Sequence, residues 1–302
     1  MTNPMHVGVI GVGAMGGGVV TSLRRAGIPT HVRDIRPEAM AAAVAMGAHA
    51  YHSAATLASM VDVVIVLVVD APQVDAVLFG ADGAVAGLRS GAIVMLASTL
   101  DPDDVAAIAA RLDAAGVLCI DAPVSGGPRR AAEGTMTMMI AGPDDALARC
   151  ANVVATIAGK VFHVGSSAGT AAKFKIVNNL LAAVNLAAGA EAMALAAAAG
   201  LDARMVVDVV NASSGGSWMF ADRMPRALDG DYAPRAAARI LAKDVGIAAA
   251  FAARHQVRAP FASVARSVFD GAVAAGHGEV DDAIVYDCAQ HPLPTTANER
   301  PM

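Results

Sequence analysis

The sequence predicts an α/β domain with a doubly wound, mostly parallel sheet, followed by an all-α domain that a long interdomain helix joins to it. Two patterns support this fold class: short β-branched runs alternate with Ala-rich helical stretches in the first half, and from Thr170 onward the pattern is helical. A length of 302 residues is also typical of two domains. The composition changes near Gly165–Gly169, and we predict domains at 1–165 and 166–302.

The strands of the first domain are predicted from short apolar or alternating runs that end at turn residues. They are expected at Met5–Ile10, Thr30–Arg33, Ala48–Tyr51, Val63–Val68, Ala92–Ala97, Val117–Ile120, the run TMTMMIAG at 135–142, and Val161–Val164.

The helices are predicted from Ala-rich stretches that end at a glycine, namely Gly13–Ala26, Arg36–Met46 and one that starts at Asp101-Pro102 and stops at Gly116. Ser53 is expected to cap a further short helix. In the second domain one helix is expected over Ala171–Ala199, roughly 40 Å long at 1.5 Å per residue. Its small apolar side chains suggest burial between domains or subunits. The tail, 291–302, is expected to be loosely ordered.

Composition and charge exclude several classes of protein. The chain is 56% hydrophobic, and Lys+Arg 22 against Asp+Glu 27 give a net charge of −5, which argues against a nucleic-acid or membrane-surface partner. A charged fraction of 16% argues against disorder. The strongest apolar run, Val63–Val69, is much shorter than the roughly 20 residues that span a bilayer. No signal-peptide pattern opens the sequence, so we expect a cytoplasmic protein with no membrane partner.

Cysteine and histidine usage indicates neither a disulfide framework nor a metal site. The three cysteines form no CxxC pair, and Cys119 lies in an apolar run that is typical of a core. The eight histidines are scattered and form no HExxH motif. We therefore expect no bound metal.

A glycine-rich turn directly follows the first predicted strand and opens the first predicted helix. Gly11, Gly13 and Gly16, with Ala14 and Met15 before the last glycine, fit the pattern GxGxxG. In this context the first glycine makes a tight turn, the second lets a pyrophosphate approach the backbone, and the third lets the helix pack on the sheet. The helix N-terminus offers N–H groups to the phosphates. The turn therefore predicts a dinucleotide site.

Asp34 supplies the second part of this fingerprint. It follows the second predicted strand, 21 positions after Gly13. A carboxylate there accepts hydrogen bonds from the ribose hydroxyls and repels a 2′-phosphate, so NAD is favoured over NADP. Arg33 and Arg36 flank Asp34 and weaken this preference, which leaves NADP as the alternative.

Polar residues in three other segments are candidates for chemistry. Ser125-Gly126-Gly127 follows a predicted strand, and such a turn exposes N–H groups and a hydroxyl that suit a carboxylate; the alternative is an ordinary turn. Lys175 and Asn179 are four apart and share one helix face. Burial would lower the lysine pKa towards neutrality and suit it to move a hydroxyl proton, whereas the alternative is a lysine that reaches solvent. Lys243 and its neighbour Asp244 are the third candidate, or else an exposed charge pair.

Together these segments resemble the β-hydroxyacid dehydrogenase family, of the 3-hydroxyisobutyrate type, from Val7 to about Val285. The dinucleotide signature, the DAPVSGG run, the segment Gly169–Asn179 and the KDVGIA run occur in the order typical of the family. The resemblance implies a Rossmann-type domain, a helical domain for substrate binding and dimerisation, and hydride transfer between NAD and a small hydroxy acid without a metal. It also implies a homodimer or homotetramer.

The resemblance implies a role for each site residue. Lys175 is the catalytic acid/base, and Asn179 orients the reacting hydroxyl. The implied substrate-binding residues are Ser125, Gly126, Gly127, Asn178 and Trp218. The implied cofactor-binding residues are Gly11, Gly13, Ala14, Met15, Gly16, Asp34, Val68, Val69, Thr99 and Lys243.

The substrate is predicted from the run Ser217–Pro234, which is similar to the L-threonate dehydrogenase branch of the family. That branch oxidises the C2 hydroxyl of a four-carbon sugar acid. The alternatives are 3-hydroxyisobutyrate, 2-hydroxy-3-oxopropionate (tartronate semialdehyde) and serine. Outside this class, a catalytically silent NAD-binding module would need neither Lys175 nor Asn179, and imine reductases usually replace the lysine.

Overall fold

The computed structural model describes residues 5–290, so the tail at 291–302 lies outside the described residues. The chain divides into two compact units, Met1–Lys175 and Ile176–Met302. The division falls inside a long helix, whereas the boundary predicted from composition lies ahead of that helix.

The first unit is built on a sheet. Within residues 5–175 the strands are β1 Val7–Ile10, β2 Thr30–Arg33, β3 His49–Ala50, β4 Val63–Val66, β5 Ile93–Leu96, β6 Leu118–Asp121, β7 Val124–Ser125, β8 Met136–Ala141 and β9 Ala158–Gly165. Their order is β3-β2-β1-β4-β5-β6-β8-β7, with β9 also beside β8. The pairs from β3 to β6 are parallel, β8 runs antiparallel to β6 and β7, and β9 is parallel to β8.

Helices cover both faces of this sheet. They are α1 Ala14–Arg25, α2 Pro37–Ala45, α3 Ala54–Ala58, α4 Ala71–Phe79, α5 Pro102–Ala114, α6 Gly127–Glu133, α7 Asp144–Ile157 and α8 Thr170–Ala198, which continues into the second unit. Alternate strand residues enter different apolar clusters: Val9 and Ile65 join the cluster with α1 and α7, whereas Val64 and Val94 join the one with α3, α4 and α5. Burial on both faces explains the unbroken Val/Ile runs. The doubly wound sheet is confirmed.

The register of the parallel strands aligns their carboxyl ends. Ile10 pairs with both Arg33 and Val66, Val66 pairs with Leu96, and Leu96 pairs with Asp121. The segments after these strands therefore meet along one edge of the sheet. The strand order reverses between β1 and β4, and ligands of open α/β sheets bind in the crevice at such a point.

Several local predictions are confirmed, and others need correction. Ser53 caps α3 by accepting the Thr56 N–H at 3.1 Å, and Asp101 caps α5 by accepting the Asp103 N–H at 3.0 Å. The strand predicted to Val68 ends at Val66, because Asp70 caps a helix that the apolar pattern did not indicate, α4. β9 begins three residues before the predicted Val161, at Ala158, and is largely exposed, so no run of buried apolar residues marked its start.

The second unit is helical, as predicted. After α8 come α9 Ala203–Asn211, α10 Trp218–Leu228, α11 Ala238–Arg254, α12 Pro260–Ala272 and α13 Val285–Gln290. Leu186 and Met193 of α8 pack with Phe220, Val245 and Phe269 in the core. The long helix is one element, close to the predicted Ala171–Ala199. It is long and apolar enough to cross a membrane by length and composition alone, a test that core helices of water-soluble proteins also meet.

A buried ion network ties α10 to the segment before α13. Arg223 donates two hydrogen bonds to Asp282, at 2.6 and 3.2 Å, and Arg226 donates to Asp281 at 3.0 Å. Burial raises the pKa of Asp282 to about 6, although the charge of Arg223 acts in the opposite direction. Removing one partner of such a pair leaves a buried charge, so these ion pairs hold the middle and the C-terminal half of α10 against the segment at Asp281 and Asp282.

Candidate active site

The glycine-rich turn requires glycine at two positions and leaves space at the third. A Cβ at Gly11, whose φ is +89°, would lie 2.6 Å from the Leu67 carbonyl oxygen, and one at Gly16 would lie 1.9 Å from the Gly11 carbonyl oxygen. A Cβ at Gly13 would meet only the Arg36 side-chain tip, at 3.1 Å, among the described residues. No side chain caps α1 at Gly13. This cradle fits a pyrophosphate, which needs close backbone approach and helix N–H groups.

Asp34 is buried beside this turn. One carboxylate oxygen accepts the Val12 N–H at 2.8 Å, and the other accepts the N–H and Nε of Arg36 at 2.9 and 3.1 Å. Burial alone would raise the pKa of Asp34, but the hydrogen bonds from Arg36 and Val12 outweigh it and hold the pKa below its ordinary value. Arg33 donates to the carbonyl oxygen of Asp34. Both flanking arginines therefore bind Asp34 itself.

The remaining predicted cofactor residues of the first unit, Val68, Val69 and Thr99, follow the carboxyl ends of β4 and β5. Val68 Cγ1 would lie 3.1 Å from a Cβ at Gly11, and the Ser98 hydroxyl donates to the Val68 carbonyl at 2.7 Å. Thr99 follows Ser98 directly. The Val69 N–H donates to Gln73 at 3.0 Å. The predicted cofactor residues of the first unit, Ala14 and Met15 included, thus lie at the carboxyl edge of β1, β2, β4 and β5.

The turn Ser125-Gly126-Gly127 joins β7 to α6. Gly126 has φ +129° and Gly127 has φ +75°, conformations that residues with a Cβ rarely adopt. A Cβ at Gly126 would lie 2.7 Å from Arg130 Cδ. Successive main-chain N–H groups in such turns form anion-binding concavities, which matches the predicted carboxylate site.

Lys175 is buried, with 7% of its surface exposed. Its Nζ donates to the Val124 carbonyl oxygen at 2.7 Å, so the alternative of a lysine that reaches solvent is wrong. The first turn of α8 is held by a second contact that the sequence analysis did not assign. Asp121 Oδ2 accepts the N–H groups of Gly169 and Ala172 at 2.8 and 3.0 Å. Burial raises the pKa of Asp121 to about 6, although these N–H groups act to lower it.

In the second unit, Asp244 connects two predicted residues. Its carboxylate accepts Asn179 Nδ2 at 2.6 Å and Lys243 Nζ at 2.6 Å, and it is buried rather than part of an exposed charge pair. Asn178 Nδ2 donates to Asn179 Oδ1 at 3.0 Å. The amide of Asn179 is thereby fixed from both sides. Asp244 was a sequence candidate through the KDVGIA run and its neighbour Lys243, but nothing in the sequence indicated Asn179 as its partner.

Trp218 is the first residue of α10, which Ser217 caps by accepting the Phe220 N–H at 3.1 Å. The residue is 49% exposed, and the Arg223 guanidinium lies 5.7 Å from the ring centroid. Trp218 is therefore not part of the core of the second unit.

The described residues thus form two sets. The cofactor turn, Asp34, the Ser125–Gly127 turn and Lys175 belong to the first unit, whereas Asn178, Asn179, Trp218 and Lys243 belong to the second. Within residues 5–290, no group of three or more His, Cys, Asp or Glu side chains could hold a metal ion.

Two family models match nearly the whole chain. Residues 6–165 match the NAD binding domain of 6-phosphogluconate dehydrogenase, and residues 169–288 match the NAD-binding domain of NADP-dependent 3-hydroxyisobutyrate dehydrogenase. NAD is therefore the cofactor of the first domain, and the cradle at Gly11, Gly13 and Asp34 fits it.

Individual proteins agree with the family models. The chain is 46% identical to the L-threonate dehydrogenase of Cupriavidus necator, over 93% of this chain and 94% of that one. It is 44% identical to the L-threonate dehydrogenase of Escherichia coli K12, over 93% of each chain. A crystal structure described as 3-hydroxyisobutyrate dehydrogenase from Salmonella typhimurium has a TM-score of 0.88 at 43% identity, covering 94% of this chain and 99% of that one. The chain belongs to the β-hydroxyacid dehydrogenase family of the 3-hydroxyisobutyrate type.

Proposed function

We propose that the chain oxidises the CH–OH group of a small hydroxy acid with NAD, and that L-threonate or a similar four-carbon sugar acid is its substrate. The observation that carries the proposal is the buried Lys175, whose Nζ is anchored to Val124 next to the Ser125–Gly127 turn. An amine and an anion-binding turn at one place suit a substrate with a hydroxyl and a carboxylate.

The first unit binds the cofactor in this proposal. The N–H groups at the start of α1 would hold the pyrophosphate, and the Asp34 carboxylate would accept hydrogen bonds from the ribose hydroxyls. Val68, Val69 and Thr99 line the cofactor edge. When bound, NAD supplies the hydride acceptor of the reaction.

The proton is handled by Lys175. A neutral amine that donates one hydrogen to the Val124 carbonyl keeps a lone pair that can accept the hydroxyl proton. The N–H groups and hydroxyl of Ser125–Gly127 hold the substrate carboxylate and so fix the distance of the reacting carbon from Nζ.

Residues of the second unit orient the substrate. Asn179 lies one helical turn beyond Lys175 on α8, and Asp244 occupies one hydrogen of its Nδ2 group. In this proposal the second Nδ2 hydrogen of Asn179 binds the substrate oxygen as negative charge develops on it. We assign Asn178 and Trp218 to the substrate and Lys243 to the cofactor side.

L-threonate is favoured because the relatives with that name are 41–46% identical to this chain, whereas the named L-serine and 3-hydroxyisobutyrate dehydrogenases of Pseudomonas aeruginosa are 33% identical. The structural neighbour from Salmonella carries the 3-hydroxyisobutyrate name at 43% identity, so that acid is the second candidate. We further propose a soluble, cytoplasmic homodimer or homotetramer.

The test measures NADH formation with L-threonate, 3-hydroxyisobutyrate and L-serine. It also measures NADH consumption with tartronate semialdehyde and with ketone plus amine mixtures. We expect the highest kcat/KM with L-threonate and no reductive amination. The variant Lys175→Met should lower kcat by about 10²–10⁴-fold with an unchanged Kd for NAD. Lys173→Met, at an exposed position on the same helix, is the matched control. Turnover by Lys175→Met within a few fold of wild type would overturn the assignment.

A further inference from the structure

Asp121 has no role in the mechanism described above, although it is among the most deeply buried charged residues of the first unit, with 1% exposure. It ends β6, four residues before Ser125, so the chain leads from it directly into the proposed carboxylate turn.

The hydrogen bonds of Asp121 connect the end of β6 to the start of α8. One oxygen, Oδ2, accepts both the Gly169 N–H at 2.8 Å and the Ala172 N–H at 3.0 Å. These groups open α8 and have no partner within the helix, because the first turn of any helix leaves its N–H groups without one. A carboxylate at a helix N-terminus is also favoured by the helix dipole.

A second contact joins the same two segments. Three residues after Asp121, the Val124 carbonyl accepts Lys175 Nζ at 2.7 Å. The segment Asp121–Ser125 therefore contacts α8 twice. Asp121 binds the N–H groups at the start of the helix, and the Val124 carbonyl binds Lys175 about one turn further along it. Because Ser125 belongs to the carboxylate turn, this one segment carries the substrate anchor and both contacts to the helix that bears the amine.

We propose that Asp121 is a positioning residue, which fixes the start of α8 so that Lys175 Nζ stands at the distance from the Ser125–Gly127 turn that proton transfer requires. This inference rests on the proposed function. It assigns Asp121 no contact with substrate or cofactor. Displacements of about 1 Å at a reacting centre cost about 10²-fold in rate, which sets the size of the expected effect.

Two substitutions separate position from charge. Asp121→Asn keeps the length of the side chain and one oxygen that can accept both N–H groups, but it removes the charge. Asp121→Glu keeps the charge and adds one methylene, which shifts α8 away from the turn. If Asp121 acts by position, Asp121→Asn retains kcat within about fivefold and Asp121→Glu loses about 10–100-fold, with the Kd for NAD unchanged in both.

The kinetic isotope effect identifies the affected step. With a substrate deuterated at the reacting carbon, the effect on kcat should rise in Asp121→Glu, because the chemical step becomes slower. Rates are expressed per NAD-binding site and measured well below the Tm of each variant. A smaller fraction of folded protein therefore does not lower the measured kcat. The control is Asp202→Ala, which removes the carboxylate that caps α9 and should lower Tm without changing kcat.

The outcomes are distinct. The inference is overturned if Asp121→Glu keeps wild-type kcat per site, since the role is then purely structural, or if Asp121→Asn is the slower variant, since charge then dominates. If the wild-type enzyme oxidises none of the hydroxy acids, the proposed function fails and this inference fails with it. If wild type is active and the two variants behave alike, only the inference fails.

Discussion

Gly18 offers a sharp test of how the cofactor helix and the proposed substrate turn are connected. It is buried on α1, where α1 packs against α6. A Cβ added there would lie 2.7 Å from Ala131 Cβ, and 2.9 Å from both the Ala132 nitrogen and the Pro128 oxygen. Two of these neighbours are backbone atoms, so no side chain can move aside. Because non-bonded carbons prefer 3.5–4.0 Å, Gly18→Ala must displace α6 by about 1 Å.

The magnitude follows from two opposing effects on stability. Alanine gains about 1 kcal/mol over glycine inside a helix, and overpacking costs about 1–3 kcal/mol, so the free energy of unfolding should fall by about 0–2 kcal/mol. Activity should respond more strongly, because the displaced α6 begins at Gly127 of the carboxylate turn. A shift of this size should lower kcat/KM for the hydroxy acid by about 10²-fold.

The assay combines steady-state kinetics, NAD affinity and urea unfolding. The matched control is Gly17→Ala, because a Cβ at Gly17 would meet only the Val12 oxygen at 3.6 Å among the described residues, an ordinary contact. Gly17→Ala should therefore stabilise the protein by up to about 1 kcal/mol and leave kcat/KM unchanged. The reasoning is refuted if Gly18→Ala retains kcat/KM within twofold, or if Gly17→Ala impairs activity equally.

Three further predictions concern cofactor choice, pH and the second unit. Asp34→Ser should raise the Kd for NAD about tenfold and favour NADP, since Arg36 loses its carboxylate partner; cofactor titrations check this, and an unchanged NAD preference contradicts it. Burial, with the nearby His6, lowers the pKa of His31 to about 4. The unfolded chain therefore binds a proton at His31 before the folded chain does. The free energy of unfolding should be highest above about pH 6.5 and should fall by at most about 3 kcal/mol as the pH decreases towards 4. Urea unfolding at pH 7 and 5 measures this, and His31→Gln should flatten the slope. Asp244→Ala frees the Asn179 amide and should lower kcat by about 10–100-fold with an intact circular dichroism spectrum; wild-type kcat would exclude its positioning role.

The fold was predictable where the local chemistry was unambiguous. Unbroken Val/Ile runs indicated strands buried on both faces, and Ser53 and Asp101 marked helix starts by their capping side chains. α4 was not predicted because the apolar run Val63–Val69 continues past the end of β4, and only Asp70 and Pro72 mark the start of the helix. A helix signal of two residues is weaker than an apolar run of seven.

The residues of the candidate site fall into those that a local motif predicted and those whose partners are distant along the chain. The motifs predicted the glycine turn directly after the first strand, Asp34 after the second strand and Lys175 on the long helix, and the structure has these residues at those positions. Asp121 and Asp244 lie in the DAPVSGG and KDVGIA runs, yet their roles depend on hydrogen bonds to residues 48 and 65 positions away along the chain. No local pattern encodes such a partner, so the burial and the partners of these two carboxylates became visible only in the folded chain.

The central claim is that hydride passes directly from the carbon that bears the hydroxyl to NAD, while Lys175 takes the hydroxyl proton. The most direct measurement incubates the enzyme with NAD and L-threonate deuterated at C2, and determines the mass of the reduced cofactor. We expect one deuterium in each NADH formed, and we expect Lys175→Met to form this product about 10²–10⁴-fold more slowly. NADH without deuterium, or no NADH with any of the hydroxy acids, would contradict the claim.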